Sequence, residues 1–158
     1  MAAFTLRAFA PDDVEALVAL WQACGLTRPW NDPYRDIERK LAVDPELLRV
    51  AERAGEIVAS IMIGYEGHRG WINYLAVAPA CQREGIGRAL MAHAEHLLRE
   101  RGCPKINLMI RGENTDALAF YRRLGYATDD AVPLGKRLEA DDWARRALDG
   151  SPQIGGRS

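Results

Sequence analysis

The sequence predicts an α+β fold with three layers, α/β/α, around a mixed and mostly antiparallel sheet that contains one parallel strand pair. Three observations lead there. Two apolar runs of strand length, Leu47–Glu52 and Glu56–Tyr65, are separated only by Arg53-Ala54-Gly55, a hairpin signal. From Trp71 to Ile110 the chain reads apolar run, glycine loop, long amphipathic run, apolar run, which is a crossover unit whose two strands should lie parallel. Apolar residues recur at helical spacing before, within and after these segments.

In order, Phe4–Phe9 is a short strand. Pro11 opens a helix in which Asp12 and Glu15 have capping-box spacing, Val14, Leu17, Val18 and Trp21 form the buried stripe, and Gly25 is the stop. Asp32-Pro33 reads as an N-cap followed by a first-turn proline, and Tyr34, Ile37 and Leu41 face the core. The run Glu56–Tyr65 is apolar on both faces, as a central strand requires. Trp71–Val77 is the next strand, bounded by Pro79. Ile86, Leu90, Ala94 and Leu97 share one helical face, Arg88, Glu95 and Arg99 the other, and Gly102 ends the run. Lys105–Ile110 is the second strand of the parallel pair, and a helix follows from Asn114 to Gly125. Tyr126–Leu138 has the composition for one or two further strands. A short helix is expected over 141–148, then a frayed end. This divides the chain into one domain, residues 1–138, and a tail, 139–158.

Composition narrows the function. The 158 residues suit one domain with a single core. A formal net charge of -1 gives no electrostatic case for nucleic acid or an anionic membrane. No apolar run reaches membrane-spanning length. Cys24, Cys81 and Cys103 are odd in number and lack C-x-x-C spacing, which fits a reducing cytoplasm and argues against a disulfide frame or a metal site.

The loop from Gln82 to Gly87 carries the chemistry. The first N–H groups of a helix have no intrahelical partner, and the helix dipole makes that end partly positive. Gly85 and Gly87 leave the approach open, and Arg83 and Arg88 add positive charge, so a phosphate or pyrophosphate would fit. The plainer alternative is a helix start whose glycines only shape a turn. Two named phosphate loops are excluded: no G-x-x-x-x-G-K-[ST] occurs, and the third glycine of a dinucleotide fingerprint is replaced by Leu90.

Q-x-x-G-x-G after an apolar strand resembles the acetyl-CoA loop of the GNAT superfamily of N-acetyltransferases, whose pattern [QR]-x-x-G-x-[GA] is met by Gln82, Gly85 and Gly87. The downstream stretch N-T-D-A-L-A-F-Y-R-R-L-G-Y resembles the family's second element through Asn114, Ala117, Phe120, Tyr121, Leu124, Gly125 and Tyr126. The resemblance spans roughly residues 3–138. Within it, W-N-D-P, G-H-R-G-W, R-G-C-P-K-I and L-G-K-R-L look like a small bacterial YpeA-type subgroup.

The resemblance implies a GNAT-like sheet whose parallel strands splay apart and a cytoplasmic enzyme that moves acetyl from acetyl-CoA to a primary amine of a small molecule or protein. No metal is implied, and a homodimer stays open. A catalytically inactive acyl-CoA-binding regulatory module is the alternative. Leu75, Ala76 and Val77 would pair with the pantetheine arm, and Gln82, Arg83, Glu84, Gly85, Ile86, Gly87 and Arg88 would hold the pyrophosphate. Asn114 would bond the cofactor or cap its own helix. Tyr121 matches the tyrosine near the sulfur, which would serve as the acid for the departing thiolate, the alternative being a core aromatic beside Phe120. Many relatives carry a glutamate at the start of the strand before the loop, where this chain has Trp71 and Asn73. Glu66, His68 and Asp32 remain as candidate bases, each with a structural alternative, and His93 reads as a core histidine. Trp30, Asn31, Asp32 and Tyr74 are the expected acceptor wall.

Overall fold

β1 (Thr5–Ala8) lies at one edge of a five-stranded sheet. The structure, a computed structural model, describes residues 3–143. A 3-10 turn at Pro11–Asp13 leads into α1 (Val14–Ala23). The expected Asp12–Glu15 box is not what starts this helix. The Asp13 carboxylate accepts the Ala10 N–H at 2.8 Å and binds the Arg7 guanidinium at 2.7 Å. Arg7 reaches over from β1, so a tertiary charge chooses between neighbouring aspartates, and it holds the Asp13 carboxyl below the usual carboxylate range.

α1 buries Val14, Leu17, Val18 and Trp21 as the spacing requires, and adds Leu20. Gly25, at φ +69°, turns the chain out of it. α2 (Pro33–Val43) buries Tyr34 and Ile37. β2 (Leu48–Arg53) and β3 (Glu56–Tyr65) are joined through Ala54 and Gly55, both at positive φ, which matches the twist of a two-residue hairpin. β4 (Gly70–Val77) follows, then a 3-10 turn at Pro79–Cys81 and α3 (Ile86–Glu100). On α3 the fully buried positions are Ile86, Leu90, Met91, Ala94 and Leu98, with Leu97 at the margin of the stripe. β5 (Ile106–Leu108) and α4 (Thr115–Arg123) complete the elements.

The strands lie in the order β1-β2-β3-β4-β5. The first three pairings are antiparallel and β4–β5 is parallel, as the crossover requires. One sheet face, with Ala51, Ala59, Ile61, Ile63 and Ile72, packs against the apolar side of α3 and against Tyr121 of α4. The other, with Leu48, Val50 and Ala76, packs against Leu17, Val18, Trp21, Tyr34 and Ile37. The apolar faces of β3 are both covered, which makes it the central strand and gives the three layers.

The further strands expected over 126–138 do not form. Residues 127–140 are exposed throughout, and Pro133 lacks a donor. An alternation with no buried face has nothing to set its register. The tail begins docked: Arg39 donates to the Asp141 carboxylate at 2.8 Å, and the Trp143 N–H donates to Pro29 O at 2.8 Å. All but the first residues of the helix expected over 141–148 lie outside the described residues.

Candidate functional site

β4 and β5 are paired only at Gly70–Ile106, Trp71–Asn107 and Ile72–Leu108. Beyond that point β4 runs on to Val77 while β5 ends at Leu108, so a wedge opens between them. A bulge in β4 lies just beyond the last pair. The β3–β4 register shifts between Ser60–Ala76 and Met62–Asn73, which leaves Tyr74 and Leu75 together opposite Ile61. Tyr74 sits at φ +50°, a backbone conformation that costs a non-glycine residue roughly 1–2 kcal/mol. Tertiary contacts hold it there. The Tyr74 ring stacks on Trp21 with centroids 3.7 Å apart. Its hydroxyl donates to Asp36 at 2.5 Å, its carbonyl accepts from the Ser60 hydroxyl at 2.9 Å, and Ser60 in turn accepts from the Trp21 indole at 2.9 Å.

The end of β4 leads to the glycine loop. Gln82 folds back, its side-chain amide donating to Val77 O at 3.1 Å. Arg83 at φ +66° and Gly85 at φ +84° turn the chain into α3. Gly85 is the N-cap, and no side chain caps the helix. Gly87 lies where three elements meet: a Cβ there would stand 3.5 Å from the Phe120 ring of α4 and 3.6 Å from a Val77 methyl. The side chain of Ile86 is buried beneath the loop, and Arg83 and Arg88 are exposed beside it. The start of α3, the end of β4 and α4 therefore converge at the open end of the wedge. Leu75 and Val77 pack on the α3/α4 side of the sheet, Ala76 on the α1/α2 side.

Tyr121 is 8% exposed and packs in the same cluster as Leu75, Val77 and Ile86. It meets Phe120 and Tyr126 edge to face, with centroids 5.1 and 5.7 Å away. Burial pushes its phenol up to about 12, so it keeps its proton at neutral pH. Asn114 is the N-cap of α4, its Oδ1 accepting the Ala117 N–H at 3.1 Å. A cavity of about 980 Å³ runs along β5 between α3, α4 and residues 126–134; it reaches Tyr121 and Leu108 but not the glycine loop or Leu75–Val77. Position, chain direction and chemistry favour the wedge over this cavity as the cofactor entrance.

Two residues of the expected acceptor wall, Asn31 and Tyr74, form a linked group with Asp36. Asn31 donates through Nδ2 to Tyr74 Oη at 3.1 Å and to Asp36 at 2.7 Å. Trp30 is 49% exposed beside it. Asp32 is 1% exposed and caps α2, accepting the Tyr34 N–H at 2.9 Å. The sequence reading missed Asp36, which ties α2 to Tyr74 and also accepts from Arg39 at 2.6 Å. Its signal is its place one helical turn after Asp32, on the same side of α2.

Two of the candidate bases, Glu66 and His68, lie in the turn before β4, and the third, Asp32, is buried as a helix cap. Glu66 lies in the β3–β4 turn, where its Oε1 accepts the N–H groups of His68 at 3.0 Å and Arg69 at 2.7 Å. Those bonds hold its carboxyl below the ordinary range, which weakens it as a base. Gly70 to Leu75 spans roughly 17 Å of extended strand, so Glu66 and its neighbour His68 stand at the closed end of the parallel pair, away from Tyr121. Asp32 is enclosed under its helix. His93, on α3, has a buried Nε2 without a hydrogen-bond partner, and burial lowers its pKa, but the residue as a whole is half-buried and lies outside both core clusters. No group of metal-binding side chains occurs among the described residues.

Comparison with known proteins agrees with this geometry. Residues 14–126 match the family model described as the acetyltransferase (GNAT) family. An acetyltransferase of Pectobacterium atrosepticum is 52% identical over 136 residues, 86% of this chain and 96% of that protein. One of Sodalis glossinidius is 53% identical over 137 residues, again 86% and 96% of the two chains. Among solved structures, Ard1 from Thermoplasma volcanium superposes with a TM-score of 0.72 at 29% identity, covering 80% of this chain and 84% of that one. A family match across most of the chain, half-identical relatives of nearly equal length, and a sheet parted beside an open helix start together make this chain a member of the GNAT family of acetyltransferases.

Proposed function

We propose that this protein moves an acetyl group from acetyl-CoA directly to a primary amine, carried by a small molecule or a protein. The parting of β4 from β5 beside the uncapped start of α3 is the observation that carries the reading. Acetyl-CoA supplies an activated acyl thioester. The backbone of Leu75, Ala76 and Val77, which β5 leaves unpaired, offers its pantetheine arm a strand edge. The N–H groups from Arg83 to Arg88 offer its pyrophosphate a cradle, with Gln82 bracing the loop. A backbone N–H at the bulge polarises the thioester carbonyl. Trp30, Asn31, Asp36 and Tyr74 wall the acceptor side.

The amine attacks neutral, the C–S bond breaks, and the proton that the amine loses ends on the cofactor sulfur. Tyr121 stands on the proper helix to donate a hydrogen bond to the departing sulfur. A phenol at about 12 is a weaker acid than a thiol at ~8.5, so Tyr121 stabilises the thiolate by hydrogen bonding, and the amine's proton completes the thiol. With Glu66 remote, water in the open wedge carries that proton. Three free cysteines favour a reducing compartment, the cytoplasm, and among the described residues no helix is long and apolar enough to cross a membrane.

An inactive acyl-CoA-binding module is the second reading, favoured by the absence of Glu66 from the wedge. A thiol-release assay against a panel of amines, run beside calorimetric titration with acetyl-CoA, separates the two. Turnover with any amine supports the enzyme; tight binding without turnover supports the module. Within the assay, Tyr121→Phe is expected to lower kcat about tenfold or more with little change in KM for acetyl-CoA, because the ring still packs. An unaltered kcat returns Tyr121 to a packing role.

A further inference from the structure

The glycine loop contains a residue that works against its proposed task. Glu84 places a carboxylate directly before Gly85, at a helix start that no side chain caps. The dipole and the free N–H groups there attract any anion. A mobile Glu84 would occupy them as a cap or repel a pyrophosphate that came to them. Arg53 prevents this. It projects from the last position of β2, just before the Ala54–Gly55 turn. Both terminal guanidinium nitrogens lie 3.2 Å from the same Glu84 oxygen, and Nη2 also donates to the buried Cys81 thiol at 2.8 Å. One side chain from a distant hairpin thus neutralises the loop's carboxylate and pins both ends of the Cys81–Glu84 segment.

We infer that Arg53 is a positioning residue for acetyl-CoA: by holding Glu84 it keeps the α3 N-terminus free for the pyrophosphate. This rests on the cofactor reading above. The action is electrostatic and specific to the phosphates. Loss of Arg53 matters because Glu84 is then released, so a loop that lacks the Glu84 charge does not need Arg53. A merely structural tether would behave otherwise.

The test is calorimetric titration and steady-state kinetics on the parent, Arg53→Gln and Arg53→Gln/Glu84→Gln, with thermal melts to verify folding. Arg53→Gln is expected to weaken acetyl-CoA binding about tenfold, with kcat at saturating donor retained. The loss shrinks as salt rises from about 0.05 to about 0.5 M, because the competing charge is screened. The double variant returns to near the parent affinity. S-acetylpantetheine, which has no pyrophosphate, is used equally by the parent and Arg53→Gln. Unchanged acetyl-CoA affinity in a folded Arg53→Gln overturns the inference. So does a loss that persists in the double variant or extends to S-acetylpantetheine. A parent that does not bind acetyl-CoA overturns the cofactor reading itself, a distinct result that takes the inference with it.

Discussion

α2 and α4 begin beneath a side chain that closes the first turn; α3 does not. Asp32 accepts the first N–H groups of α2, and Asn114 accepts one from α4. At α3 the N-cap is Gly85, with no side chain to offer, and Gly87 follows within the first turn. A capping side chain is worth about 1 kcal/mol to a helix. α3 goes without it and draws its stability instead from Ile86, Leu90, Met91, Ala94 and Leu98 against the sheet. The difference separates two uses of one physical feature. At α2 and α4 a side chain satisfies the free donors; at α3, which faces the wedge, no side chain caps them and they stay available to an anion.

Closing α3 in the manner of α2 is the strongest way to break this contrast. Gly87→Asp puts a carboxylate in the first turn, and its Cβ finds only ordinary contacts at 3.5 Å and beyond. Acetyl-CoA affinity should fall on the order of a hundredfold from like-charge contact, while the melting temperature holds or rises. Calorimetry and a thermal melt measure both; full affinity would remove the phosphate from α3. Gly85 is a poorer choice, since its φ of +84° adds backbone strain to any substitution.

Opening α2 is the reverse experiment. Asp32→Ala removes a buried cap and should cost about 1–2 kcal/mol in denaturant unfolding. Acetyl-CoA affinity should not change, whereas the KM for the amine should rise, because α2 carries Asp36 to Tyr74. A shift in cofactor affinity of similar size would show that the two helix starts are coupled.

Asn114→Ala sharpens the comparison at α4, where capping and cofactor contact both remain open for one side chain. A cap alone predicts a stability loss of about 0.5–1 kcal/mol with acetyl-CoA affinity retained. A loss of affinity beyond that of stability assigns the side-chain amide to the cofactor.

The smallest effect concerns the middle of α3. His93 is held below its ordinary pKa by burial. The unfolded chain therefore takes up that proton first, and the stability owed to neutral His93 is complete above about pH 6.5 and declines as pH falls toward the lower folded value. His93→Gln should flatten unfolding free energy below about pH 6.5 without moving acetyl-CoA affinity. An unchanged slope would exclude His93 as the titrating group.

By itself the sequence determined what depends on neighbours along the chain. Helix stripes such as Val14, Leu17, Val18 and Trp21, the Ala54–Gly55 hairpin, the Asp32 cap and the Gln82–Gly87 loop are local patterns, and the structure contains each of them. Tertiary structure decided whatever depends on partners far away in sequence. Arg7 selected Asp13 over Asp12 because a guanidinium from β1 stands beside it. Tyr74 took a left-handed backbone where Trp21, Ser60 and Asp36 hold it, just beyond the point at which β4 and β5 part. Glu66, close to β4 in sequence, fell at the wrong end of it, since a strand advances over 3 Å with each residue. Residues 127–138 did not become strands because no core covers them. Arg53 met Glu84 across two strands and a turn, 31 residues apart, a pairing that only the closed sheet could bring about.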